Sequence, residues 1–283
     1  VVVRDGDNIK MNFTGEGEVD SQLVLDKIDA DKDEVIDIAL KLLNARPIEA
    51  GTYDIICDPA VAGLIAHEAF GHGVEMDMFV KERAKAVQYV GKRVASDVVN
   101  MYDGAASCVS AASYFFDDDG VEAGKTNIIK NGILQTGISD CLSAMELGTA
   151  PTGNGRRESY KRKVYTRMTN TFFDAGNDSV EDMIKSIKHG YYLCQSNNGM
   201  EDPKNWQIQC TAGYGIEIVD GKLTDHIVAP VVISGSVVDL LNSISMVSKD
   251  VHIFGMGMCG KGHKEWVFVS DGGPYLKGKA KLS

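Results

Sequence analysis

The stretch Leu64-Ile-Ala-His-Glu-Ala-Phe-Gly-His-Gly-Val-Glu75 constrains this chain more than any other. It sets His67, Glu68 and His72 on an apolar segment that reads as a helix. Imidazoles beside a carboxylate are the donor set of a metal hydrolase: the imidazoles hold zinc and the Glu takes a proton from metal-bound water. The familiar zinc-peptidase helix reads H-E-x-x-H, with ligands four apart. Here they are five apart. Each helical residue turns about 100°, so residues four apart sit ~40° from each other and residues five apart ~140°. A regular helix would point His67 and His72 away from a common ion. Two backbones repair this, an i→i+5 bulge or a helix that ends near Gly71 and turns to present His72. Gly71 and Gly73 flank His72 and permit either distortion. The plain alternative is two unrelated histidines on a buried helix, and a straight α-helix through Gly73 would favour it.

The helix has a clear start. Thr52 to Cys57 reads as a strand, Asp58 suits an N-cap and Pro59 the first helical turn. A catalytic zinc usually takes three protein ligands, so a third must come from a distance. Cys57 is excluded on geometry, because Pro59 to His67 spans ~12 Å of helix while ligands of one ion lie within a few Å of each other. Cys259 is the best candidate, although a lone cysteine there reads more simply as a small buried apolar residue. It sits in Phe254-Gly-Met-Gly-Met-Cys-Gly-Lys-Gly-His263, whose glycines let backbone approach a site closely. His263 is the rival ligand or a supporting group. Glu75 and Asp77 are candidates to orient the histidines through their second nitrogens, with at least one of them expected on the surface.

Elsewhere the chain reads as α+β. Val1 to Arg4 and Met11 to Thr14 form two strands around a turn, and Asp33 to Ala45 an amphipathic helix ended by Pro47. Asn131-Gly132 and Asp220-Gly221 each sit between β-type runs and predict hairpins. Val180 to Gly190 reads as a helix with Gly190 near its C-cap, and Val237 to Ile244 as a short one. Asp117-Asp118-Asp119-Gly120 lacks the spacing of a calcium loop and reads as a turn. The expected architecture is an antiparallel β-sheet-rich C-terminal domain with a metal-binding helix, preceded by the remnant of an α/β N-terminal domain.

Composition narrows the function classes. The 283 residues carry a net charge of -11 with dispersed Lys and Arg, which argues against direct nucleic-acid binding. The longest apolar runs are far short of a membrane span. The six cysteines form no CxxC pair and no small disulfide scaffold, which fits a reducing cytoplasm. Gly153-Asn-Gly-Arg-Arg-Glu-Ser-Tyr160 is a glycine-rich turn whose Arg156 and Arg157 are candidates to grip a substrate carboxylate or backbone. The chain opens Val-Val-Val-Arg-Asp-Gly without Met, which reads as an interior strand of a fragment or a processed chain.

At these residues the chain resembles the TldD/PmbA family of zinc-dependent peptidases, once called modulators of DNA gyrase, and in particular its catalytic TldD type. His67-Glu-Ala-Phe-Gly-His72 matches the family's HExxxH motif. Gly153 to Tyr160 and Arg167-Met-Thr-Asn-Thr171 match its central signature, and Ser245-Met-Val and Gly257-Met-Cys-Gly-Lys261 its C-terminal one. The similarity runs in order from about residue 1 to about residue 277. PmbA-type partners lack the zinc ligands, which this chain keeps. The resemblance implies that His67, His72 and Cys259 bind Zn2+, that Glu68 is the general base, and that small or unfolded peptides are the substrates. Arg156, Arg157 and Tyr160 are then candidates for oxyanion or substrate-backbone contacts. It also implies a homodimer or a heterodimer with an inactive homologue. Family members usually carry a further N-terminal domain, so residues 1–50 are expected to be its C-terminal part and residues 51–283 the metallopeptidase C-terminal domain. Two other readings compete: a non-catalytic subunit that clamps peptides by strand-edge pairing, and a hydrolase of small amides, which would need a closed pocket.

Overall fold

In the computed structural model, which describes residues 1–262 and 265–283, an N-terminal hairpin is followed by a long helix. The hairpin is β1 (Val2–Asp5) and β2 (Asn8–Met11), and the helix is α1 (Ser21–Leu42). β3 (Gly51–Cys57) runs into α2 (Pro59–Leu64), which continues as a π-helical segment, Ile65–Gly71, and a 3-10 turn, His72–Val74. Next come α3 (Met76–Val80), β4 (Met101–Asp103), β5 (Thr126–Lys130), β6 (Ile133–Leu134) and α4 (Cys141–Leu147). β7 (Gly155–Arg156), β8 (Tyr165–Thr166), β9 (Asn170–Phe173) and α5 (Val180–Lys185) complete the middle. The strand-rich remainder holds β10 (His189–Asp202), β11 (Gln207–Val219), β12 (Lys222–Val228), β13 (Val231–Ser236), α6 (Val237–Ser243), β14 (Met246–Val247), β15 (His252–Lys261), β16 (Glu265–Gly273) and β17 (Leu276–Leu282).

Two sheets enclose the motif helix. In the first, β10, β3, β17, β13 and β11 pair in that order, and β11 pairs back onto β10, so the five strands close a ring. Closure leaves β12, paired on β11 outside the ring, as an outer edge of this sheet. The second sheet has the order β15-β16-β9-β4-β5-β6, which leaves β15 at its edge. Pairing is antiparallel except for β10 on β3 and β16 on β9. α2 packs against β10 on one side and against β9, β15 and β16 on the other. Its continuation is buried at Ile65, Ala66, Ala69 and Phe70. The site helix is therefore an interior helix, fixed by the core on both flanks.

Several elements depart from expectation. The first helix spans Ser21–Leu42 rather than 33–45. Only Val35, Ile38, Ala39 and Leu42 are buried in it, and the apolar residues of its first turns, Leu23, Leu25 and Ile28, are exposed, so the core-facing stripe marks only its second half. Ile38 and Leu42 pack on Cys194 and Tyr214 of the ring. The second expected strand is Asn8–Met11, turned by Gly6 at φ +57°, and Met11 to Thr14 falls mostly outside it. α5 stops at Lys185, and Gly190 is a strand residue rather than a cap. A Cβ there would lie 2.1 Å from the Asp54 carbonyl oxygen, so the glycine serves close pairing of β10 with β3. Both hairpin turns form as expected, with Asn131 and Gly132 at φ 48° and 75° and Asp220 and Gly221 at φ 47° and 74°. Every cysteine is free, and among the described residues no helix is long and apolar enough to cross a membrane.

Candidate metal centre

Asp58 anchors the start of the site helix at both ends of its carboxylate. One oxygen accepts the Val61 N–H at 2.7 Å, and the other accepts the Gln195 N–H of β10 at 2.8 Å. The helix then widens. The His72 N–H donates to the His67 carbonyl oxygen, an i→i+5 bond, so the bulge and not a chain break reconciles the spacing. It brings the two imidazoles edge to face with centroids 5.1 Å apart. Gly71 itself keeps ordinary helical dihedrals, φ -60° and ψ -49°. Its glycine is required by crowding instead, since a Cβ would lie 2.1 Å from Met168 Sδ and 3.0 Å from the Ala66 carbonyl oxygen.

β15 carries Cys259 across from the other sheet, with Sγ 3.4 Å from His72 Nε2. One ligand atom from each of His67, His72 and Cys259 lies within 4.8 Å of the others. Glu68 Oε2 is 3.9 Å from His72 Nε2, so the carboxylate stands at the rim of the same trio. Burial opposes ionisation of the Cys259 thiol, but the neighbouring imidazoles, His67 first, override it and bring the thiol down to about 4. Burial pushes the Glu68 carboxyl up. His67 Nδ1 is buried with no hydrogen-bond partner among the described residues. Two imidazoles, a ready thiolate and an orphaned ring nitrogen fit a Zn2+ site of three protein ligands, which leaves a fourth position open. His263, the rival to Cys259, lies outside the described residues.

A buried charge network supports one of the histidines. Glu75 Oε2 is 3.2 Å from His72 Nδ1 and 3.0 Å from Lys261 Nζ. Arg167 Nε lies 3.8 Å from Glu75 Oε1, and Arg167 Nη2 donates to the Cys259 carbonyl oxygen at 2.6 Å. Lys261 also reaches Asp77 Oδ1 at 2.7 Å, and Lys81 holds the other Asp77 oxygen at 3.0 Å. Burial opposes charge on Glu75, yet the Lys261 ammonium and then His72 hold its carboxyl down to about 2. Glu75 is thus the orienting group, and the expectation of a surface position for one of the two acids is corrected: Glu75 and Asp77 are both buried.

The central signature sits beneath the helix. Arg156 donates from Nη1 to the Met168 carbonyl oxygen at 2.7 Å, and Met168 is the side chain packed on Gly71. Arg157 pairs with Asp118 Oδ1 at 3.3 Å, and Tyr160 is 80% exposed. None of the three lines the cleft above the site. Asp103 gathers the Thr169 N–H at 3.0 Å, the Thr169 hydroxyl at 2.9 Å, Asn154 Nδ2 at 2.6 Å and the Thr171 hydroxyl, which locks β9 to β4. Arg167, Lys261, Asp271 and Glu201 are the site residues that sequence reasoning missed. Lys261 and Asp77 are 184 positions apart, so no local spacing could have paired them.

The cleft has a volume of about 980 Å³. One wall is the edge strand β15, and the other is the distal part of β10. Phe13, Met200, Met256, Met258 and Trp266 give it an apolar lining. Gly199 leaves room for Glu68, since a Cβ there would lie 2.7 Å from Glu68 Cγ. Asp271 also faces the cleft, and burial pushes its carboxyl up to about 6.

With this geometry in hand, comparison with known proteins is direct. The family model for the PmbA/TldA metallopeptidase C-terminal domain matches residues 50–280. A metalloprotease of Methanocaldococcus jannaschii is 36% identical over 245 residues, covering 87% of this chain and 53% of the relative. A zinc metalloprotease TldD homolog of Saccharolobus solfataricus is 35% identical over 234 residues, covering 82% and 51%. The chain spans about half the length of the curated relatives it matches. The crystal structure of TldE from Thermococcus kodakarensis shares the fold, with a TM-score of 0.77 at 24% identity, covering 100% of this chain and 61% of that one. The chain belongs to the PmbA/TldD metallopeptidase family.

Proposed function

We propose that this chain is the catalytic half of a zinc-dependent peptidase that hydrolyses small or unfolded peptides. The observation that carries the reading is the convergence of His67, His72 and Cys259 ligand atoms within 4.8 Å, with Glu68 at their rim. His67, His72 and Cys259 would hold the ion. When bound, zinc polarises the scissile carbonyl and brings the pKa of its water toward ~7. Glu68, as general base, takes the water proton on a carboxylate oxygen and delivers it to the leaving amine. Glu75 keeps the His72 ring turned toward the site. The Cys259 thiolate contributes negative charge, so the ion is a weaker Lewis acid than it would be with a third neutral imidazole.

The shape of the cleft supports a peptide rather than a small amide. β15 is an edge strand beside the site, and its unpaired backbone can take an extended peptide as an added strand. The apolar lining suits side chains that an unfolded segment exposes. The same edge would serve a subunit that only clamps peptides, and chemistry separates the two. Stoichiometric zinc by metal analysis and cleavage of an unfolded peptide that a chelator abolishes are expected. Cleavage that survives chelation, or that the Glu68→Gln variant retains, would overturn the assignment.

A further inference from the structure

We infer that Glu201 is a subsite for a primary ammonium group of the substrate, placed to select peptides by their free N-terminus. The inference deepens the peptidase reading above and rests on it. Both Glu201 carboxylate oxygens are shielded from solvent without a hydrogen-bond partner among the described residues. Burial opposes charge on the Glu201 carboxyl, while the His72 imidazole and then the Gly73 N–H favour it from nearby, the N–H without reaching bonding geometry. The carboxylate is packed against Gly73, where a Cβ would lie 2.5 Å from Oε1, so it is held beside the residue that follows His72. It also lines the cleft.

A buried, unpartnered carboxylate is costly, and a ligand that brings both charge and several donors removes that cost. The cleft's own cations are not filling this role. Lys81 and Lys261 are engaged by Asp77 and Glu75, and Arg83 is exposed and makes no bond to Glu201 among the described residues. An ammonium has three donors and no acceptor, which matches two empty carboxylate oxygens.

Position favours the α-amine. Alternate strand residues share a face, so Gly199 and Glu201 point the same way along β10. Gly199 abuts Glu68, and Glu201 is then ~7 Å further along the strand. That distance is about two residues of extended peptide. A peptide whose amine rests on Glu201 would present its first or second peptide bond to Glu68. A lysine side chain is the other source of the same ammonium.

The test uses the full zinc-loaded chain and three versions of one unfolded hexapeptide: free N-terminus, N-acetylated, and with lysine replaced by norleucine. Products are read by mass spectrometry, and binding to the Glu68→Gln variant is read by calorimetry. The expected result is release of one or two residues from the free peptide and at least tenfold lower kcat/KM and affinity for the acetylated one. The norleucine peptide should match the parent, and Glu201→Gln should erase the discrimination. Loss with norleucine instead would retain the ammonium subsite and assign it to lysine. Equal cleavage and binding of all three peptides would sink it. Cleavage of none would count against the peptidase reading, and the binding comparison would still decide the subsite.

Discussion

The two walls of the cleft differ in how far their buried charges are met. Along β15, most of the buried charge is met: Lys261 joins Glu75 to Asp77 and Arg167 bonds the Cys259 carbonyl oxygen, although Arg167 Nε stands 3.8 Å from Glu75 Oε1 and neither atom makes a hydrogen bond among the described residues. Along β10, Gly199 yields space to Glu68, and Glu201 has the Gly73 N–H nearby but no hydrogen bond of good geometry among the described residues. The histidines divide in the same way, because Glu75 holds His72 Nδ1 while His67 Nδ1 has no partner among the described residues. An unsatisfied buried polar group costs about 1–3 kcal/mol, and more when charged, so evolution has reason to remove it unless a ligand completes it. Glu201 differs from the other unpartnered groups in that both of its oxygens lack a bond among the described residues and its side chain lines the cleft.

The largest effect that would test this division is at Glu68. Glu68→Gln should keep the metal and lose ~10²–10⁴-fold in kcat, the range for a general base. Cys259→Ala should come next, with zinc content falling well below stoichiometric, and full retention of zinc would remove Cys259 from the ligand set. Glu75→Gln should then weaken zinc binding by ~10–100-fold, as loss of an orienting partner does. Glu201→Gln should leave zinc affinity where it was. If Glu75→Gln and Glu201→Gln changed zinc affinity alike, as measured by competition with a chromogenic chelator, the two walls would not differ in the way described.

The histidine pair was legible in the sequence because its unusual spacing made a geometric demand, whereas Cys259 rested on the family resemblance more than on its own surroundings. Five residues between ligands required a distorted helix, and the π-helical segment supplies it. Asp58 and Pro59 announced the start of that helix, and two Xaa-Gly pairs announced the hairpins, because caps and turns are local chemistry. The supporting network was not legible beyond Glu75 and Asp77. Arg167, from the connection between β8 and β9, Lys261 on β15 and Glu201 on β10 reach the site through the topology of two sheets, which no periodicity encodes. The role of Gly71 was misjudged for the same reason. Its glycine answers to Met168, 97 positions away, rather than to its own dihedrals.

Gly71→Ala therefore measures how tightly the signature beneath the helix holds the bulge. A methyl at that point meets Met168 Sδ and the Ala66 carbonyl oxygen, and overpacking of this kind costs about 1–3 kcal/mol. Denaturant unfolding should show this loss, and Met168→Ala in the same background should recover part of it. A Gly71→Ala variant as stable as the parent would show that the helix shifts freely over β9.

Asp58 offers a smaller, pH-dependent test of how the helix is tied to the β10 wall. Its carboxylate accepts from Val61 on the helix and from Gln195 on β10. Burial outweighs these bonds and pushes its carboxyl up to about 6, above the ordinary value near 4. The folded state thus holds the proton more firmly than the unfolded chain. The stabilisation is full below ~4 and is lost as pH rises through about 6. Two pKa units correspond to on the order of 2–3 kcal/mol as an upper bound. Asn at this position still caps a helix but cannot ionise. Urea unfolding of the wild type and of Asp58→Asn at pH 4 and pH 7 should therefore show a smaller fall in stability for the variant. Equal falls would mean that the carboxylate is already well satisfied by its two backbone donors, and that the helix and the β10 wall are joined without electrostatic strain.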